Sequence, residues 1–372
     1  MTKATVNITQ KLTRIDDDVR AKVLEVLESE PYYAGPETSA FEAEVAAYCG
    51  VKYGVATNSG TSALLLTLMA SDIGPGHEVI LPVNTFASVP EVVMFLGADC
   101  VFCDVESDGN ISRRIVEGHI SDRTRAIIPV HMYGHPVDMD PIMELAADLG
   151  LFVVEDAAHA LGAKYKGRRV GSLGHAGIFS FAGKSITVCG QAGMAVTDDK
   201  ALAERMSMQR VHGWRQKIGG VASIAELPGL NLRTSEVLAA IGRIHLTKLE
   251  AWTDARRNNA ARYTKRLSEA GVPATFQEVR DDQEPGWLHY VIRVPKRDAL
   301  QAHLKERGVR AGVLYSAPLH EQPAFADLAS ANAVFPMTSG RVSDMLTLPS
   351  HPWMSETDID FVSDSIVDFY RT

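Results

Sequence analysis

Between residue 58 and about residue 210 the chain repeats one pattern: a short apolar run, a turn, then an amphipathic stretch. The units fall at residues 78–81, 86–96, 100–105, 111–120, 126–130, 139–149 and 152–154, with turns at Gly74-Pro75-Gly76 and Tyr133-Gly134-His135-Pro136. Strands that alternate with helices predict an α/β fold, in which a mainly parallel sheet is covered by helices on both faces. After Gly177 the pattern changes to two apolar runs, 178–181 and 194–197, joined by a loop that carries Lys184. Loops at strand ends are where chemistry sits in such sheets.

Apolar residues at Val237, Leu238, Ile241, Ile244, Leu249 and Trp252 predict a long helix over 235–267, or two in succession, leading to a second domain. Beyond residue 272, strands at 290–294 and 309–314 mix with helices at 299–307 and 356–370, the pattern of a smaller α+β domain. The expected division is 14–245 for the large domain and 246–372, with 1–13, for the small one. A chain of 372 residues, 46% apolar, has material for two such cores.

A net charge of -9, with Lys and Arg spread thinly among acids, argues against a nucleic-acid partner. Small anionic substrates stay open, because a local positive site can sit on an acidic protein. The first thirty residues hold no signal-like apolar run, and no segment reaches the roughly 18 apolar residues of a membrane span, so a cytoplasmic location without membrane contact is expected. Cys100 and Cys103 are the one close pair of the four cysteines. Three apart on a predicted strand, they point to opposite faces, which favours packing over a redox pair.

Three segments carry chemistry. In Asn58-Ser59-Gly60-Thr61-Ser62-Ala63, glycine and small hydroxyl residues precede an apolar helix. Such a segment is read first as an ordinary N-cap and second as a phosphate cradle, since free N–H groups and the helix dipole favour an anion there. Val153-Val154-Glu155-Asp156 ends a buried strand with two acids at the carboxyl edge of the sheet. An aspartate there can hold a ribose hydroxyl or a protonated ring nitrogen. The absent glycine fingerprint of a dinucleotide site weakens the first role and leaves Asp156 as a candidate for the second. His159, three residues on, reads by itself as a packed or solvent-facing histidine. Lys184 lies beside apolar strands; a lysine after a strand is by itself read first as a surface residue, but a desolvated one becomes a nucleophile able to form a Schiff base.

Over nearly its whole length the chain resembles the pyridoxal 5′-phosphate (PLP)-dependent sugar aminotransferases of the DegT/StrS type, which have the aspartate aminotransferase-like fold. The matching stretches are Gly35-Pro36 before Phe41-Glu42, Asn58 to Ala63 as quoted above, Pro75-Gly76-His77-Glu78, Pro129-Val130-His131-Met132-Tyr133-Gly134 and Glu155-Asp156-Ala157-Ala158-His159. Further on are Phe179-Ser180-Phe181, Asn231-x-Arg233-x-x-Glu236, Pro318-Leu319-His320 and Leu348-Pro349-x-His351-Pro352. The resemblance implies a seven-stranded, mainly parallel PLP-binding domain, with Gly60, Thr61 and Ser180 on the phosphate and Phe86 stacked on the ring. It further implies Asp156 on the pyridine nitrogen, His159 near the ring, and Lys184 as the imine-forming lysine. Asn231 would reach the phosphate of a neighbouring subunit, giving a homodimer, while His320 and Tyr315 would touch substrate. The implied activity moves an amino group from glutamate or glutamine to a keto-sugar or aminocyclitol ketone by a ping-pong route.

Three departures from the family pattern stand out. Only Ala182 and Gly183 separate Phe181 from Lys184, one residue fewer than usual; the usual Gly-Glu-Gly-Gly reads Gly190-Gln191-Ala192-Gly193; and the usual His-Tyr-Pro reads Leu314-Tyr315-Ser316. These changes imply an unusual acceptor or donor. Gly183 can supply the backbone angles that a shortened loop needs. Two alternatives are a sugar dehydratase, whose family members carry histidine at the position of Lys184, and a non-catalytic PLP-binding sensor. Metal catalysis is disfavoured, because the twelve histidines are scattered and no metal-ligand spacing occurs. His131, His175 and His212 read as structural or substrate-lining.

Overall fold

Seven short strands build the main sheet in the order Tyr53–Thr57, Gly193–Thr197, Ala176–Ser180, Phe152–Asp156, Thr124–Ile127, Glu78–Pro82 and Asp99–Cys103. The computed structural model describes residues 7–10, 14–29, 31–186, 190–214, 224–328 and 333–371. Five of the strands, from Ala176–Ser180 to Asp99–Cys103, pair in parallel, and Gly193–Thr197 runs antiparallel to both of its neighbours. The sheet is thus mainly parallel, as the alternation of apolar runs and amphipathic stretches predicts.

Both faces of the sheet are covered, and the pleat divides each strand between two cores. Ile80, Ile127 and Val153 face one core, while Val79, Leu81, Ala126 and Val154 face the other. Cys103 joins the first core and Cys100 the second, so the C-x-x-C pair is split by the sheet as expected. Burial pushes the Cys100 thiol up to about 12 and that of Cys103 higher, which leaves both as inert packing groups.

The long helical stretch is one unbroken helix, Glu236–Glu269, capped by the Ser235 side chain, which accepts from the Leu238 amide at 3.3 Å. Its expected partition at residue 245 falls inside this helix. Gly242 lets the helix approach closely, since a Cβ there would lie 2.6 Å from the Phe41 ring. At its start, the buried Glu236 carboxylate accepts from the amides of Gly35 (3.0 Å), Glu37 (2.7 Å) and Thr38 (3.2 Å), closing the N-terminus of helix Pro36–Cys49. Two stretches far apart in sequence, Gly35-Pro36 and the segment ending at Glu236, are therefore one contact.

The C-terminal part has its own core, in which Tyr263, Tyr290, Leu304, Leu346, Val362 and Ile366 are packed together with Ile8 from near the N-terminus. Its sheet has the order Thr275–Phe276, Tyr290–Arg293 and Met345–Leu348. The strand predicted at 309–314 does not form. Val309 bridges Ile8 and Gly312 bridges Thr347, so the segment changes partner within three residues and no continuous ladder results. The strand Met345–Leu348 takes that place beside Tyr290–Arg293. Among the described residues, no helix is long and apolar enough to cross a membrane.

Candidate active site

The carboxyl ends of the sheet strands converge on a cavity of about 260 Å³. At one end, strand Tyr53–Thr57 passes directly into helix Gly60–Ala70, whose cap is Ser59, with its side chain accepting from the Ser62 amide at 3.0 Å. The ordinary capping reading of this segment therefore holds, and it leaves the first-turn amides of Gly60 and Thr61 at the cavity wall, where a helix has no internal partner for them. Close approach of two backbones makes this end. A Cβ on Gly60 would lie 2.8 Å from Ser180 Cβ, and one on Gly193 would lie 2.3 Å from the Ser59 carbonyl, so neither position has room for a side chain.

Asp156 closes its strand at the cavity floor, 6% exposed, and accepts from the Ala158 amide at 3.0 Å. Burial pushes this carboxyl up, opposed by the Ala158 amide, the Lys184 amine and His131. Glu155, fully buried on the opposite side of the pleat, accepts from the amides of Gly171 (2.8 Å), Leu173 (2.6 Å) and Gly174 (2.7 Å) and from His131 Nε2 at 2.9 Å. His131 Nδ1 accepts from the Val137 amide at 3.0 Å, which fixes its tautomer and makes it a strut rather than a site residue.

Lys184 also lines the cavity, half-buried. The loop reaches it through Gly183, whose φ of 65° lies in the left-handed region that glycine tolerates. Burial pushes the Lys184 amine down and the Asp156 charge pulls it partly back. His159 is buried with Nδ1 unpartnered, and burial, the Lys184 charge and His289 hold it well below the usual histidine range. The imidazole is therefore neutral.

Gly60, Thr61, Phe86, Asp156, His159, Ser180, Lys184 and Tyr315 thus line one cavity. Asn231 and His320 do not. Asn231 is exposed, held by Arg233 Nε at 3.1 Å and bridged to Val211, although the neighbouring Leu232 carbonyl accepts from the Asn58 amide at 2.8 Å beside the helix start. The His320 ring packs on Phe335, with centroids 4.7 Å apart, and does not line the cavity. Thr85, Ser88 and Gln191 line the cavity as well, and Thr85 and Ser88, which flank Phe86 and Ala87, had no sequence signal beyond that proximity. His289, whose ring meets the edge of His159 at 5.3 Å, comes from the distant segment before strand Tyr290–Arg293 and could not be foreseen. Among the described residues no cluster of His, Cys, Asp and Glu could hold a metal ion.

Residues 13–367 match the model of the DegT/DnrJ/EryC1/StrS aminotransferase family. The chain belongs to this family. One similar relative is the dTDP-3-amino-3,4,6-trideoxy-alpha-D-glucose transaminase of Streptomyces venezuelae, 40% identical over 93% of this chain and 90% of that protein. Another is the pleiotropic regulatory protein of Geobacillus stearothermophilus, 37% identical over 98% of both. Among solved structures, S. venezuelae DesV in complex with a ketimine intermediate superposes with a TM-score of 0.91 at 38% identity, covering 95% of each chain. In this DegT/DnrJ/EryC1/StrS member the seven-stranded sheet and the cavity at its carboxyl edge are where the family resemblance anticipates them.

Proposed function

We propose that this chain is a PLP-dependent aminotransferase that moves an amino group from glutamate or glutamine to a keto-sugar carried on a nucleotide, the substrate class named for its Streptomyces relative. The observation that carries this reading is the meeting of Lys184 and Asp156 in one cavity that ends at a helix N-terminus. The remaining residues suit the cofactor part by part. Its phosphate suits the amides of Gly60 and Thr61 and the Ser180 hydroxyl. Its ring suits Phe86, 59% exposed at the cavity and free to stack. Its protonated ring nitrogen suits Asp156, a buried carboxylate that gains from a cation. The unpartnered Nδ1 of His159 and Oγ1 of Thr85 are buried polar atoms that call for a ligand.

When bound, the cofactor supplies an aldehyde that exchanges with the donor amine and a ring that takes up the electrons released when a carbon loses its proton. Lys184 Nζ would hold the aldehyde and, once displaced, carry the proton between substrate and cofactor carbons. The lowered basicity of Lys184 raises the share of neutral amine available for both tasks. Asp156 would keep the proton on the ring nitrogen, and neutral His159 would hydrogen-bond beside Lys184 without repelling it. Donor and acceptor would occupy the same cavity in turn, which gives ping-pong kinetics.

The reading extends to a homodimer. Tyr32, Tyr33, Phe95 and Ile224 are exposed apolar residues, Phe95 to 79% and Ile224 to 78%, an amount of open apolar surface that a second copy would cover. Asn231 of the partner subunit would then complete the phosphate end. The name of the Geobacillus relative prompts a regulatory reading, and one experiment separates the two. Protein loaded with PLP and reduced with borohydride is expected to carry the cofactor mass on the Lys184 peptide, and addition of glutamate or glutamine beforehand is expected to remove the label. A label that an amino donor leaves unchanged would support the regulator, and a label on another lysine would overturn the assignment of Lys184.

A further inference from the structure

Helix Glu236–Glu269 buries one seam of residues spaced alternately four and three apart: Leu249, Thr253, Arg256, Ala260, Tyr263 and Leu267. The other polar members are satisfied, Thr253 by the Leu249 carbonyl at 2.8 Å and Tyr263 by the distant Pro349 carbonyl at 2.9 Å. Arg256 breaks the pattern. It is 4% exposed, and among the described residues no carboxylate pairs with it and its Nη1 has no partner. Desolvation pushes its guanidinium down to about 10. A buried cation without a counter-charge is a worse choice for stability than an apolar side chain of similar size.

The hydrogen bond that Arg256 makes explains what the charge is for. Its Nη2 donates at 3.1 Å to the carbonyl of Ser185, the residue directly after Lys184, in the stretch 181–186, which forms no helix or strand. Ser185 itself is 2% exposed with its hydroxyl unpartnered, so the guanidinium is the polar anchor of this peptide. After burial and the Lys184 charge, the Arg256 charge also helps hold the His289 imidazole down, and the His289 ring meets the edge of His159 with centroids 5.3 Å apart, so the guanidinium lies near groups that border the cavity.

We propose that Arg256 is a positioning residue for Lys184, pinning the peptide that follows it to the long helix and thereby setting where the amine points. Its catalytic meaning rests on the aminotransferase reading, whereas its structural effect is measurable without the cofactor. The loop turns on Gly183, at a φ of 65°, and the Arg256 bond fixes the peptide on the other side of Lys184.

The test compares Arg256→Met and Arg256→Lys with the native chain. Amide hydrogen exchange of cofactor-free protein is expected to rise about tenfold in peptides covering residues 181–186 of Arg256→Met, the loss of one hydrogen bond, while the sheet strands stay unchanged. The melting temperature is expected to hold or rise, since an unpaired buried charge is removed. Arg256→Lys keeps a donor for the Ser185 carbonyl and is expected to bring exchange back to within about threefold of native. In loaded enzyme, kcat of Arg256→Met is expected to fall roughly 10- to 100-fold with the donor KM little changed, the mark of a misplaced reacting group. Unchanged exchange at 181–186, or a rise spread evenly over all peptides, overturns the proposal. Should Arg256→Met not fold, Arg256→Gln gives the same comparison. A failure of the borohydride labelling of Lys184 would remove the aminotransferase reading and leave the exchange result standing.

Discussion

Gly60→Ala perturbs, by a single methyl group, the end of the cavity proposed to take the cofactor phosphate. The added Cβ would lie 2.8 Å from Ser180 Cβ, 3.3 Å from Ser180 Cα and 3.4 Å from the Phe179 carbonyl oxygen. Carbon atoms pack at about 3.5–4.0 Å, so the helix start and the strand end must separate by roughly 0.7 Å or more. Neither can retreat freely. Ser180 is paired with Gly193 in the sheet, and Gly193 in turn abuts the Ser59 carbonyl. Overpacking of this kind costs about 1–3 kcal/mol, and the better helix propensity of alanine returns at most about 1 kcal/mol, so the clash wins. The net loss of stability is expected to be small, a melting-temperature drop of about 2–4 °C. The effect on the ligand is larger, because the shift moves the Gly60 and Thr61 amides relative to Ser180. Losing one hydrogen bond to a charged phosphate costs about 1.5–3 kcal/mol, which is roughly 10- to 100-fold in affinity. The assay titrates cofactor-free protein with PLP and, separately, with pyridoxal, which lacks the phosphate, following the absorbance of the bound form. Weakened PLP binding with pyridoxal binding unchanged is the expected result. Equal weakening of both, or none, would refute the phosphate assignment.

Two other expectations concern stability and assembly. His135 is 1% exposed, its Nε2 lies 3.0 Å from Gln283 Oε1, and burial pushes it down to about 4. In the unfolded chain a histidine takes up its proton near pH 6.5, so between that value and pH 4 the unfolded state binds more protons and stability falls as pH falls. By pH 5 the loss attributable to this group is about 2 kcal/mol. Denaturant midpoints at pH 7 and pH 5 should therefore fall further in the native chain than in His135→Gln, and equal falls would contradict the reasoning. For assembly, mixing inactive Lys184→Ala with Asn231→Ala subunits is expected to recover about a quarter of the native sites, because a mixed dimer rebuilds one complete site. No recovery after subunit exchange would remove Asn231 from the neighbouring site.

The sheet was legible because its signal is local. Runs such as Val79-Ile80-Leu81 and Val153-Val154 bury residues on both faces, and only a strand with helices on either side can do that. Asp156 was legible for a similar reason, as a carboxylate ending an apolar strand at the sheet edge, whereas Lys184 by itself reads as a surface lysine and was singled out by the family resemblance. The segment at 309–314 misled, because its apolar residues are buried by two different partners, Ile8 and Thr347, and composition carries no record of which partner a residue meets. Arg256 was detectable in principle as a charge on an apolar seam of alternating spacing, but its partner, the Ser185 carbonyl, is 71 residues away.

By itself, the order of residues determined the α/β class, the buried faces of each strand and the chemical groups offered at the sheet edge, since all of these follow from periodicities of two and about four residues. Only the tertiary structure decided that Gly60 meets Ser180, that His289 stands beside His159, that Glu236 caps a helix about two hundred residues earlier, and that His320 packs on Phe335. Those contacts arise from long-range packing, in which the fit of whole surfaces selects among many locally equivalent arrangements. No local pattern in the chain encodes that selection.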